Sequence, residues 1–452
     1  MTADTDFPSP ASTEPPYPSA VYSWYVVGVL MLAYLFAFLD RQILSLLIQP
    51  IKRDLGISDT EMSLILGLAF GIFYTVLGIP IGRLGDRRSR RTIIAIGIAV
   101  WSLMTAACGI ARTYGQLFVA RIGVGVGEAT LQPCGLSLLS DYFPRSRRGL
   151  AISVYSMGLG LGAGLALIVG GQVVAGVVNA PKIVLPLLGE LYAWQTVFLV
   201  IGLPGLVVSA LVLTIREPQR RDRRPGATDG APLRDVFAFV WQRRSTYIRH
   251  FVGLSVMTIL GNAILFWLPA VFVRVHHWGI GQLSLWLGLI VGLGGPIGST
   301  VGGWIGDRMY ARGQKDGHMR VAFYGILVLV PAAIAAPSMP SPWLTLLFMI
   351  PYSVGSGMAT AAGPSSLMVI APNEMRAQIS AIYWFVISTL GLAVGPFAVA
   401  FFTDTVFHDE AAIGTSLSIV AVIAGVVVTW ILSAALAPYR SSVIEAESWQ
   451  RG

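Results

Sequence analysis

Apolar stretches of about twenty residues or more follow one another along almost the whole of this 452-residue chain, each long enough to cross a bilayer core of about 30 Å. A segment in lipid must satisfy its backbone polar groups internally, so a chain patterned in this way folds as a set of membrane-spanning helices. Twelve spans can be marked, at roughly 22–50, 60–82, 91–111, 115–141, 148–176, 194–215, 246–273, 281–305, 319–337, 342–371, 376–403 and 412–436. Only 12% of the residues are charged, against roughly a quarter in a soluble domain, so a dissolved multidomain protein is excluded. Ser58 and Glu61 form a Ser-x-x-Glu capping box that opens span two.

The formal net charge of +8 does not indicate nucleic acid, because the basic residues sit in short clusters between spans. Loops that follow even-numbered spans hold 22 Lys and Arg, loops that follow odd-numbered spans hold five, and the C-terminal segment holds two. This asymmetry predicts cytoplasmic even loops, with both termini on the cytoplasmic side of what is expected to be a bacterial inner membrane. Of the 31 basic residues, these counts leave two, Arg41 and Arg121, both well inside spans. Cys108 and Cys134 lie in apolar segments, so neither a disulfide framework nor a metal site is expected. Residues 1–21 read as a disordered tail, since the Pro/Ser/Thr-rich start lacks the basic region of a signal peptide.

Residues 216–245 divide the spans into two sets of six, giving expected bundles at 22–215 and 246–436 and a cytoplasmic tail at 437–452. The dividing segment opens as a charged Pro/Gly linker and continues as APLRDVFAFVWQRR, where Phe237, Val240 and Trp241 share a helical face, the pattern of an interfacial helix. Its charges serve orientation and solubility, with anionic lipid headgroups as the alternative role. The two sets echo each other. GRLGDRRSRR at 82–91 returns as GWIGDR at 303–308, while Pro144, Arg148 and Tyr155 match Pro372, Arg376 and Tyr383. A six-span repeat in the same orientation marks a duplicated transporter. The expected fold is an all-α membrane protein with twelve transmembrane helices in two six-helix bundles.

The buried charge lies in the first bundle. Asp40 and Arg41 occupy the middle of span one, where a charge costs about 2.5–3.5 kcal/mol and so faces a cavity or a partner. On span four, Arg121, Gly125, Glu128 and Gln132 line one helical face, with Arg121 and Glu128 about 10 Å apart along it and each expected to meet span one. Asp40 and Glu128 are the proton-coupling candidates, since a carboxyl group in an apolar cavity is suited to exchanging protons. Arg41 and Arg121 are the binders of an anionic group. The competing reading is a buried salt-bridge cluster that only joins spans one and four.

In the second bundle the position of Glu128 is taken by Ser356, and the aromatic residues Phe266, Trp267, Tyr352, Tyr383 and Trp384 accompany no charge. Gln132, Phe266, Tyr352 and Ser356 complete the expected substrate site, a cavity with one charged and one apolar wall. Gly82, Gly85, Asp86 and Arg87, with their repeats Asp307 and Arg308 and the loop arginines Arg148 and Arg376, are expected to rearrange as the bundles rock. The glycines of GVGVGEA lie mid-span, where they serve close helix packing rather than a nucleotide loop. No Walker sequence occurs, so ATP hydrolysis is not the expected energy source, and no cofactor is expected.

The G-x-x-G-D-R repeat, the twelve spans and the central linker resemble the major facilitator superfamily, although Ser89 stands where that loop motif has Gly. Asp40-Arg41, RIGVGVGEA at 121–129 and PNEMRAQISAIY at 372–383 narrow the resemblance to a bacterial member of the Spinster family, over nearly the whole chain. The resemblance implies rocker-switch alternating access and transport of lysophospholipids or sphingoid phosphates, with Asp40, Arg41, Arg121 and Glu128 at the polar site.

The expectation is thus a proton-coupled secondary transporter of an amphiphilic anionic substrate, working as a monomer among membrane lipids. A proton symporter for a small organic anion, such as a sugar acid, would use the same arginines but needs more polar groups in the second bundle. A membrane-embedded lipid-modifying enzyme would need a nucleophile with a base, or a metal cluster, and no His lies at a span centre to serve.

Overall fold

The computed structural model describes residues 17–177, 183–185, 189–220, 232–372 and 374–449. Most of the expected N-terminal tail, linker residues 221–231, Asn373 and the last three residues lie outside the described residues, as does the side chain of Asp86. Ten helical stretches among the described residues are long and apolar enough to cross a membrane. They are Ala20–Leu46, Asp59–Gly85, Arg90–Cys108, Ala193–Leu213, Arg244–Arg274, Ile280–Ala311, Gly317–Ser338, Pro342–Ile370, Gln378–Phe407 and Glu410–Glu447. These are spans one to three and six to twelve. Span five is Arg145–Val177. The protein is an integral membrane protein that crosses the bilayer many times.

Span four is not the single helix that its apolar length predicts. It forms two helices, Tyr114–Glu128 and Leu131–Tyr142, with the break immediately after Glu128. Pro133 cannot donate to the carbonyl four residues earlier, and the Thr130 hydroxyl donates to the Gly127 carbonyl at 2.8 Å. Span one also breaks, at Leu47, and continues as the helix Ile48–Leu55, which ends on Gly56 at φ 66°. The capping box at Ser58 forms in full, with Glu61 N–H on Ser58 Oγ at 3.1 Å and Ser58 N–H on Glu61 Oε2 at 2.9 Å. One feature departs from all-α expectation. Ile183–Leu185 and Gly189–Leu191 pair antiparallel between spans five and six, Val184 opposite Glu190, with Gly189 at φ 72°.

The bundles meet along spans five and eight, and along spans two and eleven. Both contacts depend on glycine. A Cβ on Gly164 would sit 2.4 Å from Gly292 Cα, and one on Gly67 would sit 2.0 Å from the Leu392 carbonyl oxygen. Without a hydrophobic force between helices in lipid, such close backbone approach supplies the packing.

Each bundle is also tied within itself on the face that carries the even loops. In the first, the buried Arg90 guanidinium bridges Asp141 at 2.5 Å and Glu217 at 2.9 Å, and Glu217 also accepts from Ser89 at 2.8 Å and from Arg91 N–H at 2.9 Å. In the second, Asp316 holds Arg320 at 3.0 Å and Arg440 at 2.8 Å, while Glu445 pairs with Arg243 and Glu447 with Lys315. Glu445 and Glu447 belong to span twelve, which stays helical to Trp449.

Candidate functional site

Asp40 and Arg41 face different neighbours because adjacent helix positions point about 100° apart. Arg41 reaches span four, where its Nε and Nη2 both donate to Glu128 Oε2, at 2.7 and 2.6 Å. Three rings surround the guanidinium: Phe70 at 4.5 Å, Tyr74 at 4.7 Å and Phe38 at 5.6 Å from ring centroid to Cζ. Cation–π attraction of this kind suits the weakly hydrated guanidinium better than an ammonium. The pair is unequally covered, since the Arg41 side chain is 20% exposed and that of Glu128 1%.

Asp40 turns to span three instead. Its Oδ2 accepts from the Thr105 hydroxyl at 3.0 Å, and its Oδ1 is buried with no hydrogen-bond donor in reach among the described residues. Arg121 is buried beneath Phe70, 5.6 Å from the ring centroid, and its Nε and Nη1 likewise meet no acceptor. Glu128 Oε1 is in the same condition. Thus Glu128 meets span one through Arg41, whereas Arg121 makes no ion pair with Asp40. A buried charge without its full set of hydrogen bonds is costly, so the cluster holds interaction capacity that its own members leave unused.

Gln132 joins the site through its Oε1, which accepts from the Tyr74 hydroxyl at 3.2 Å. A small cavity of about 10 Å³ sits among Phe38, Arg41, Tyr74, Glu128 and Gln132, all from the first bundle. The second-bundle candidates lie apart from it. Phe266 and Tyr352 are buried in an apolar core with Leu260, Ile264 and Met349, and Ser356 is half-buried on span ten. Leu392 of span eleven reaches the first bundle and packs against Phe70's cluster. Between Arg249 and Arg274, and between Arg376 and Asp404, the second bundle's spans carry no charged residue.

The expected gating residues are scattered. Gly82 and Gly85 pack against Pro133 and Cys134 of span four, and Arg87 is exposed. Asp307 is exposed, 3.9 Å from His318 Nε2, and Arg308 lies 5.4 Å from the Trp304 ring centroid. Arg148 is half-buried, and Arg376 donates to the Ala371 carbonyl at 3.2 Å.

The strongest connection between the bundles involves residues that sequence reasoning treated only as loop charges. On the odd-loop face, Asp59 is fully buried and accepts from Lys52 Nζ at 2.5 Å and from Arg274 at 2.6 and 2.7 Å. Lys52 also holds Glu410 at 2.8 Å. Beside this cluster, Asp404 accepts from Thr60 N–H at 2.6 Å and from the Thr60 hydroxyl at 2.7 Å. Lys52, Asp59 and Thr60 belong to the first bundle; Arg274, Asp404 and Glu410 belong to the second. A signal was present in the sequence, because Lys52 follows span one and Arg274 follows span seven, equivalent places in the repeat.

The described residues form a two-bundle helical membrane protein, charged at the centre of one bundle and latched to the other at the odd-loop face, an arrangement consistent with a membrane transporter. The sequence model of the Major Facilitator Superfamily matches residues 30–396, and the chain belongs to that superfamily. It is 28% identical over 432 residues to an MFS-type efflux pump of Mycolicibacterium smegmatis, covering 94% of this chain and 95% of that one. It is 26% identical to a probable L-galactonate transporter of Escherichia coli, covering 63% of this chain and 62% of that one. Among solved structures, a bacterial homolog of the human lysosomal transporter Spinster, inward-facing and unoccupied, superposes with a TM-score of 0.76 at 23% identity, covering 94% and 98% of the two chains.

Proposed function

We propose that the protein is a proton-coupled secondary transporter of an amphiphilic anion, of the lysophospholipid or sphingoid phosphate type, working by rocker-switch alternating access. The observation that carries this reading is the Arg41–Glu128 pair, partly exposed at Arg41 and buried at Glu128. An anionic headgroup that takes the Arg41 guanidinium displaces Glu128, and a buried carboxylate that loses its cation must bind a proton or remain at high cost. Binding of substrate and binding of a proton are thereby coupled at one arginine. Arg121 offers unused donors for the same headgroup, and the rings of Phe38, Phe70 and Tyr74 favour an apolar neighbour beside it. The stretches of spans seven and eleven that carry no charge suit an acyl or sphingoid chain. With the odd-loop face latched and the even loops assigned to the cytoplasm, the conformation is one closed on the outer side.

A second reading, a proton symporter for a small organic anion such as a sugar acid, is favoured by the likeness to the probable L-galactonate transporter. It uses the same arginines, and for hydroxyl groups it draws on Gln132 and on Ser356, half-buried on span ten. The deciding experiment is flux into proteoliposomes of a lysophospholipid and, separately, of a hexonate, each with and without an imposed pH gradient. Lysophospholipid flux that follows the gradient, lost in Glu128→Gln, supports the first reading. Gradient-driven hexonate flux without lipid movement replaces it with the second. Unaltered pH dependence in Glu128→Gln removes Glu128 as the proton carrier under either.

A further inference from the structure

The helix Leu233–Gln242, which leads into span seven on the even-loop face, has three distinct sides. Val236 is fully buried in the apolar core with Tyr247 and Phe251, and Phe239 and Val240 are partly so. Leu233, Phe237 and Trp241, at i, i+4 and i+8, form a continuous exposed apolar stripe, Trp241 being 64% exposed. Arg234, Asp235, Ala238 and Gln242, all exposed, form the remaining polar side. Around the helix axis the order is therefore core, apolar stripe, water. That order places a helix flat on a bilayer, one flank on its own protein and one in the lipid. A helix free in water would not expose Leu, Phe and Trp on a single line.

Two further observations name the occupant. Span seven, which begins two residues after this helix ends, itself exposes the apolar Ile248 and Val252 in its first turns, so the helix leads directly into a segment that presents apolar residues to lipid. The stripe is also bordered by positive charge. Arg234 is exposed beside it, Arg244 lies 5.6 Å from the Trp241 ring, and Arg249 is exposed one turn into span seven. Arginine at the headgroup level, stacked on an aromatic ring, is suited to phosphate.

We propose that this helix is a docking surface for anionic phospholipid headgroups of the bilayer, with Leu233, Phe237 and Trp241 entering the acyl boundary and Arg234 and Arg244 binding the lipid phosphates. It thereby fixes the start of span seven to the membrane plane while the bundles move. The proposal is independent of which substrate the transporter carries.

The test uses the full-length protein in nanodiscs, spin-labelled at Phe237→Cys or at Asp235→Cys. The native Cys108 and Cys134 are buried, which directs the label to the introduced thiol. In phosphatidylcholine with roughly a quarter phosphatidylglycerol, the label at 237 should collide with oxygen more than with a water-soluble nickel chelate, and the label at 235 the reverse. In phosphatidylcholine alone, or in the Arg234→Gln/Arg244→Gln variant, the label at 237 should move toward water, each arginine contributing up to about fivefold in partitioning. Nickel access exceeding oxygen access at 237 in every bilayer would overturn the docking. Equal depth with and without phosphatidylglycerol would overturn the headgroup recognition. Reproduction of the phosphatidylglycerol effect by inorganic phosphate would show ion binding alone and overturn the lipid assignment.

Discussion

Removing the Asp59 carboxylate should open the odd-loop face. Asp59 is fully buried and neutralises Lys52 and Arg274, whose side chains are only 7% and 6% exposed. In Asp59→Ala both cations remain in place; Lys52 retains the exposed Glu410, while Arg274 keeps that residue's more distant carboxylate at 3.8 Å, its backbone carbonyl at 3.4 Å and the Trp267 ring at 5.7 Å. Deleting one partner of a buried pair costs about 3–5 kcal/mol, and the surviving contacts place this case near the lower end. When the bundles part, the same cations meet water, so the penalty falls on the closed state alone. About 3 kcal/mol moves the closed-to-open ratio by roughly a hundredfold. Double electron–electron resonance between labels at Arg53 and Asp409, both exposed, reads that ratio as a short and a long distance. The wild type should show mainly the short distance and Asp59→Ala mainly the long one. Adding Arg274→Leu should restore part of the short population by removing the stranded cation. A folded Asp59→Ala protein with an unchanged distance distribution would refute the assignment of this cluster as the latch.

Gly67→Ala should act in the same direction by sterics, since its Cβ would lie 2.0 Å from the backbone oxygen of Leu392, which a side-chain rotation cannot relieve; the long distance should rise in the same measurement. Thr105→Val removes the one hydroxyl bonded to Asp40 at nearly constant volume and should shift the pH profile of transport without abolishing substrate binding, checked by flux against pH and by substrate-dependent thermal shift. At the even-loop face, burial alone would raise the Glu217 carboxyl, but hydrogen bonds from Arg91 N–H, Arg90 and Ser89 outweigh it and hold the group below the usual glutamate range. Its folded pKa is therefore depressed, so its contribution is complete above the ordinary glutamate value and disappears as pH falls through the lower folded value. Glu217→Gln should flatten the acid limb of a thermal-stability profile relative to the wild type.

The twelve spans were legible because apolar length is a property of composition along the chain, which lipid reads directly. The four buried charges were legible for the same reason, since Asp40, Arg41, Arg121 and Glu128 interrupt apolar runs. Their pairing was not. Spacing on span four showed that Arg121 and Glu128 are too far apart to bond, but only the break at Thr130 and the rotation of span one decide that Arg41, and not Asp40, meets span four. The aromatic cage was hidden because Phe38, Phe70 and Tyr74 are ordinary residues for a span. The latch escaped for another reason. Lys52, Asp59, Arg274 and Glu410 fall just outside the apolar spans marked in the sequence, where charge is expected for solubility, and the burial of Lys52, Asp59 and Arg274 arises only when two bundles distant in sequence close over them.

Electroneutrality follows from the charge count at the site. With both carboxyl groups ionised, Asp40, Arg41, Arg121 and Glu128 sum to zero, and in the proposed rocker-switch their low exposure would keep these charges out of water as the bundles move. Binding a monoanion brings the site to −1, and a net buried charge costs several kcal/mol that binding one proton on Glu128 removes. Under the proposed coupling, the favoured loaded state would therefore carry one proton for each negative charge on the substrate, and the empty state none. Both moving states are neutral, so a membrane potential does no work on either. Flux of a monoanionic lysophospholipid into proteoliposomes should follow a pH gradient and remain unchanged when a potassium diffusion potential of about 100 mV, worth about 2.3 kcal/mol per charge, is imposed at fixed pH. Flux that rises tenfold or more with that potential would mean that a charge crosses with the substrate, and the exchange of partners at Arg41 would then not be the coupling step.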